Sequence, residues 1–160
     1  APRTAAPVRV ARDLLGRDRG RSAAMAGADE GGIESLSMRG LAQQLGVEAM
    51  ALYHHVRNKE DLLAGMLDAV YAEIELPSSE GDWLADMRRT ATSFHRVLLQ
   101  HRWACGLLML PLAGPTTERL RYMDAVLGRL RGAGFSAWMR HHAYHALDRH
   151  IMEFTLWLLP

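Results

Sequence analysis

The sequence predicts an all-α chain in two parts, a small bundle of four short helices over residues 1–76 and a bundle of longer helices over 77–160. Three observations lead there. Apolar residues recur at spacings of three and four, and no run alternates with period two over a useful length. Breakers stand between the periodic runs, at Gly31-Gly32, Gly46, Pro77-Ser78-Ser79 and Gly132-Ala133-Gly134. Hydrophobic residues make up 49% of 160, enough for a solid core.

Residues 1–12 hold two prolines, three arginines and no acid, and read as a loose basic arm. A first helix is expected over about 17–30, closed by Gly31-Gly32. Gly20 and Gly27 weaken it by roughly 1 kcal/mol each relative to Ala, and only Ala23, Ala24 and Met25 give it an apolar face. Ser37 is an N-cap for MRGLAQQL, in which Leu41, Ala42 and Leu45 form a stripe. Gly46 supplies the corner, with Val47 filling its inner side.

A third short helix is expected over 48–55, with Met50 or Ala51, Leu52 and Val56 turned inward. Asn58 caps a fourth, with Glu60 and Asp61 in its first turn, where the helix dipole favours acids. Its apolar set is Leu62, Leu63, Met66, Leu67, Val70 and Ile74.

In the second part, Trp83, Leu84, Met87, Ala91, Phe94, Val97 and Leu98 mark a helix to about 101. A short helix at 104–110 stops before Pro111, and the turn GPTT leads into another over 116–132. Ser136 caps the last, about 137–157, carrying Trp138, His145, Leu147, Ile151, Phe154 and Trp157.

Composition narrows the function classes. A net charge of +1 names no partner by itself, but residues 1–21 hold six arginines against Asp13 and Asp18. The single cysteine, Cys105, excludes an intrachain disulfide and fits a reducing, cytoplasmic setting. There is no signal-peptide pattern, and the apolar stretches 107–113 and 154–159 are too short to span a bilayer, so no membrane association is expected. No nucleophile–base pair, phosphate loop, HExxH or CxxC occurs; the expectation is a non-enzyme without cofactor. His141 and His145 stand four apart, as two metal ligands would, but lack a third, so no metal site is assigned.

A helix, a glycine corner and a second short helix, braced before and behind, is the trihelical helix-turn-helix plan, which offers a two-turn helix to a major groove. The stretch SLSMRGLAQQLGVEAMALYHHVRNKEDLL resembles the DNA-binding domain of the TetR family of bacterial transcriptional regulators. The resemblance is carried by Leu36, Ser37, Arg39, Leu41, Ala42, Leu45, Gly46, Val47, Leu52, Tyr53, His55, Val56, Asn58, Lys59 and Leu62. The helix from Trp83 and the stretch from Gly114 to Phe154 resemble the tetracycline-repressor-like C-terminal domain. Relatives of that group continue with further helices, so the resemblance implies a second part that is incomplete at Pro160.

The resemblance implies that Arg39 reaches a base edge, and that Tyr53 with His54 or His55 touches phosphates at the end of the recognition helix. Lys59, at a helix start whose free N–H groups already favour an anion, is a phosphate clamp. The recognition helix opens Glu48-Ala49-Met50-Ala51. Glu48 repels phosphate unless it accepts from a cytosine or caps its own helix; Met50 and Ala51 meet a thymine methyl or fill space. In the second domain Trp83, Phe94, Trp103, Met109, Met123, Tyr144 and Trp157, with His145 beside them, are candidates to bound a cavity for an apolar or aromatic effector, or are simply core.

The function implied is a ligand-responsive repressor, binding a palindromic operator in double-stranded DNA as a homodimer and released by an unidentified small molecule. The rivals are a helical binding or scaffold protein that never reads DNA, and an activator of the same fold.

Overall fold

The computed structural model describes residues 6–78, 80–110 and 116–159, with side chains from Gly16 onward. Every regular element among them is helical: α1 (Ala6–Gly31), a 3-10 turn (Ile33–Ser35), α2 (Met38–Gln44), α3 (Ala49–Tyr53), α4 (Lys59–Ala72), α5 (Trp83–Gln100), α6 (Arg102–Leu108), α7 (Thr117–Gly132) and α8 (Ala137–Leu158). The chain divides into two compact units, Ala1–Met66 and Leu67–Pro160, and the division falls inside α4. The sequence reading drew its boundary at 76/77.

In the first unit, α1 is longer than its sequence suggests. It starts at Ala6, so residues 6–12 are helical where a loose arm was expected; residues 1–5 of that arm lie outside the described residues. Pro7 in the first turn is compatible with a helix start, since its missing N–H would have had no partner there. Ala24 and Ala28 are buried, and Gly20 lies beside Leu52 of α3. The glycines that weaken α1 as an isolated helix give it a flat side on which its neighbours sit close.

The corner between α2 and α3 follows from backbone chemistry. Ser37 accepts a hydrogen bond from the Gly40 N–H at 3.0 Å and starts α2. At its end Gly46 adopts φ +66°, its N–H donates to the Gln43 carbonyl and that of Val47 to the Ala42 carbonyl. This pair of bonds is a Schellman closure, which satisfies the orphan carbonyls of the last turn. Val47 does not plug the corner, as expected, but is 44% exposed; its place in the closure is fixed by its N–H, not by its side chain. Met50 and Ala51 also face outward, because a helix of five residues has only one side to bury, and Leu52 and Val56 take it.

In the second unit α8 packs on α5 and α7, and α6 closes against α5 and α8. The core is built on Phe94, Leu98, Tyr122 and Val126, all fully buried. Asp82 caps α5 through the Leu84 N–H, and Ser136 caps α8 through that of Met139. The N-terminus of α7 is capped from a distance, the Asp68 carboxylate accepting from the Glu118 N–H at 2.7 Å. The proline stop after α6 and the Gly114-Pro115 half of the GPTT turn lie outside the described residues. On α8, Ile151 is buried, but Trp138, Phe154 and Trp157 face outward, and Tyr144, Asp148 and Thr155 take the inner side.

Candidate nucleic-acid interface

The first unit holds α3 by one side and leaves the other to solvent. Leu52 is 3% exposed and Val56 6%, whereas Met50 is 69% and Tyr53 45% exposed, and His54 also points outward. Arg39, in the first turn of α2, is exposed and makes no ion pair or hydrogen bond among the described residues. Glu48 occupies the N-cap position of α3, but its side chain makes no capping bond; the expected cap is supplied by backbone alone, the Glu48 carbonyl accepting from Ala51 and Leu52. Ala49 is half-buried.

The start of α4 is fixed more firmly. The Asn58 side chain accepts from the Asp61 N–H at 2.8 Å, and the Asp61 carboxylate accepts from the Arg57 N–H at 3.1 Å. That backbone bond, with the nearby Arg57 and Arg17 charges, holds the Asp61 carboxyl below the usual carboxylate range although partial burial opposes it. Lys59 is thereby held, exposed, in the first turn of a rigid helix start. His55 behaves differently from His54. It is half-buried, and its ring lies against α1 so closely that a Cβ on Gly16 would meet it at 2.9 Å.

The second unit carries a buried aromatic and polar cluster. The rings of Phe94 and Tyr122 are 5.4 Å apart, those of Tyr71 and Phe94 5.7 Å, and those of Tyr122 and Tyr144 6.3 Å. The Tyr122 hydroxyl donates to Asp148 at 2.8 Å. Burial pushes the Asp148 carboxyl above the usual carboxylate range, against the hydrogen bonds from Tyr122 and Tyr144 and the charge of Arg119. Burial, with the Asp148 charge, also pushes the Tyr71 hydroxyl up to about 12. Tyr71, Tyr122 and Asp148 escaped the sequence reading; the four-residue step from Tyr144 to Asp148 on one helix face was the available signal.

The effector candidates do not share one place. Phe94 and Tyr144 belong to the aromatic cluster, and Trp103 is buried beside His101. Trp83 packs edge-on against Phe135, Met123 is half-buried, and Met109 and His145 are exposed. Trp157, placed with them by the sequence, is 84% exposed. A separate cleft of about 340 Å³ lies between the 77–78 segment and α7, lined by Pro77, Ser78, Asp124, Gly128, Arg129 and Arg131. One of its walls is tied by Asp86, which accepts from Ser78, Arg89 and Arg129. Burial would raise the Asp86 carboxyl, but those three donors outweigh it and hold it below the usual range. Among the described residues, no three His, Cys, Asp or Glu side chains are placed to hold a metal ion, and no helix is long and apolar enough to cross a membrane.

Residues 21–66 match the family described as bacterial regulatory proteins, tetR family, and residues 76–156 match the tetracyclin repressor-like C-terminal domain. The chain belongs to the TetR family. It is 42% identical over 124 residues to an HTH-type transcriptional regulator of Saccharopolyspora erythraea, covering 76% of this chain and 52% of that protein. It is 37% identical over 112 residues to the class A tetracycline repressor of Escherichia coli, covering 68% and 51%. The chain thus spans about half the length of the curated TetR relatives it matches.

Among solved structures it is similar to the TetR family protein ActR of Streptomyces coelicolor in complex with (S)-DNPA, with TM-score 0.81, 28% identity and coverage of 88% of this chain and 69% of that one. It is also similar to BioQ with its double-stranded DNA operator, with TM-score 0.76, 25% identity and coverage of 88% and 85%. The TetR family is one of regulatory proteins rather than enzymes.

Proposed function

We propose that this chain is the DNA-reading domain and part of the effector domain of a ligand-responsive transcriptional repressor, which binds a palindromic operator as a homodimer and leaves it when a small apolar or aromatic molecule binds. The observation that carries the reading is the one-sided anchoring of α3. Leu52 and Val56 fasten it, while Met50, Ala51, Tyr53 and His54 stay open to a partner. A short helix so held fits a major groove. Arg39 is the candidate for a guanine edge, and Tyr53, His54 and Lys59 for phosphates. Ala49, Met50 and Glu48 form the near side of the same reading head. His55 serves through its seat on Gly16 as much as through any phosphate. The similarity to BioQ, solved on its operator, supports this reading.

For the effector, the candidates are Trp83, Phe94, Trp103, Met109, Met123, Tyr144 and His145. Phe94, Tyr144 and Trp103 are favoured because they are buried aromatics of the second unit. ActR, solved in complex with (S)-DNPA and with actinorhodin, supports a small-molecule site in this kind of domain.

The test is a mobility-shift titration of the full-length protein on DNA from its own promoter region, over a salt series, with Arg39→Ala beside it. Specific binding about 10³-fold or more tighter than to random duplex, weakened by R39A on that sequence but not on random DNA, is the expected result. Equal affinity for both duplexes, unmoved by R39A, would overturn the reading.

A further inference from the structure

We infer that His141 and His145, on the outer side of α8, form an open chelate for a divalent transition-metal ion of the copper or nickel class. The inference stands apart from the repressor reading, since it concerns one helix of the second unit. Residues four apart lie one above the other on a helix, and α8 runs unbroken from Ala137 to Leu158. Both imidazoles are exposed, with ring centroids 4.5 Å apart and planes at 71°.

That spacing is the one a shared ion needs. An ion about 2.1 Å from one nitrogen of each ring lies about 3.2 Å from each centroid. Two rings held at a right angle then have centroids about 4.6 Å apart, and at the tetrahedral angle about 5.3 Å. The pair matches the right angle, the angle of tetragonal and octahedral ions rather than of tetrahedral zinc. Imidazole nitrogen suits copper and nickel, whereas calcium and magnesium prefer oxygen.

The neighbouring histidine does not compete. His142 lies 5.3 Å from His141, but residues adjacent in sequence diverge round a helix, and Trp138 stands edge-on to the His142 ring at 4.2 Å. Nor does the local charge forbid a cation. Of the arginines flanking the pair, Arg140 is half-buried and Arg149 is paired with Glu153 at 2.7 Å. Among the described residues no third protein ligand joins the pair, so the remaining positions are open to water or to an atom of an outside molecule. A bound ion would tie 141 to 145 across one turn. On the inner side of that turn is Tyr144, whose hydroxyl is bonded to Asp148, so binding at the surface is felt in the buried aromatic cluster.

The experiment titrates the full-length protein, free of any added histidine tag, with nickel(II), copper(II), zinc(II) and magnesium by calorimetry. His141→Ala, His145→Ala and His142→Ala are run beside it, and circular dichroism checks that each keeps its helix content. The expected result is one nickel ion per chain in the wild type and in H142A, with copper(II) bound tightest and magnesium not at all. H141A and H145A should each weaken nickel on the order of 10²-fold or more, because the second imidazole no longer acts at high effective concentration. Nickel should also raise the Tm of the wild type and H142A but not of H141A or H145A, since the unfolded chain lacks the helical spacing. No nickel binding by the wild type, equal binding by H141A, or a loss confined to H142A would overturn the inference. Half an ion per chain would also overturn the open single-chain site, in favour of one shared between two copies.

Discussion

Gly46 and Asp148 show how single positions set the behaviour of the two units. At φ +66° Gly46 is the residue that lets α2 close by a Schellman pair and α3 begin at once. An added Cβ meets no neighbour there, so the penalty of Gly46→Ala is conformational rather than steric crowding from outside. It should be about 1–2 kcal/mol, read as a lower denaturation midpoint in urea. Asp148 is a buried carboxyl held by tyrosine hydroxyls. Its pKa is raised on folding, so the folded state keeps a proton that the unfolded chain has already released. Stability therefore falls as pH climbs above the ordinary carboxylate range toward the folded value. In Asp148→Asn that contribution is absent, so the difference in Tm between variant and wild type should move in the variant's favour as pH rises. A difference that is flat with pH would contradict it. Tyr122→Phe removes a donor from the same carboxylate and should cost about 1–3 kcal/mol.

At the scale of elements, what matters is which helix holds which. The ring of His55 rests on the backbone of α1 at Gly16, so the end of α3 is positioned from a residue 39 positions before His55. Gly16→Val should lower both the melting temperature and DNA affinity while removing no group that touches DNA. Because the clash is with one side chain, adding His55→Ala should recover part of the melting temperature, and a double-mutant cycle measures how much. Elements were largely legible in the sequence because helical periodicity and capping residues act locally: Ser37, Asn58 and Ser136 each start the helix they were expected to start. The partner of a helix is less legible. A seam of Gly and Ala on α1 has no hydrophobic signature, so its contact with α3 reads as weakness. Asp86, Asp148 and Thr155 read as surface residues because their partners, Arg129, Tyr122 and His95, are 26 to 60 positions away in sequence. Trp157 reads as a cavity or core residue by type alone, yet it is exposed. In the reading head, a helix of five residues gives too little periodicity to say which side is inner, so Met50 or Ala51 was expected inside and both face outward, whereas the effector candidates, chosen by residue type, scatter over the second unit.

For the molecule as a whole, charge is close to balanced, and any attraction to DNA has to come from where the charge sits. Lys59 is the only lysine, exposed at a helix start that Asn58 and Asp61 keep in place. Lys59→Ala should weaken binding to all duplexes by a similar factor and reduce the salt slope by about 2 in a homodimer, near 0.9 for each phosphate released. A loss confined to one sequence would instead make Lys59 a base reader.

Cys105 has a use of its own. It is the one thiol of the chain, it is fully buried, and burial pushes its pKa up to about 11. Such a thiol reacts with an alkylating reagent only when the helices around it part, because the nucleophile is the thiolate and the closed form shields it. The unmodified protein therefore carries a built-in clock for the breathing of its second unit. A small molecule that tightens that unit should slow the labelling of Cys105, so candidate effectors can be screened by thiol chemistry alone, with neither DNA nor an engineered probe.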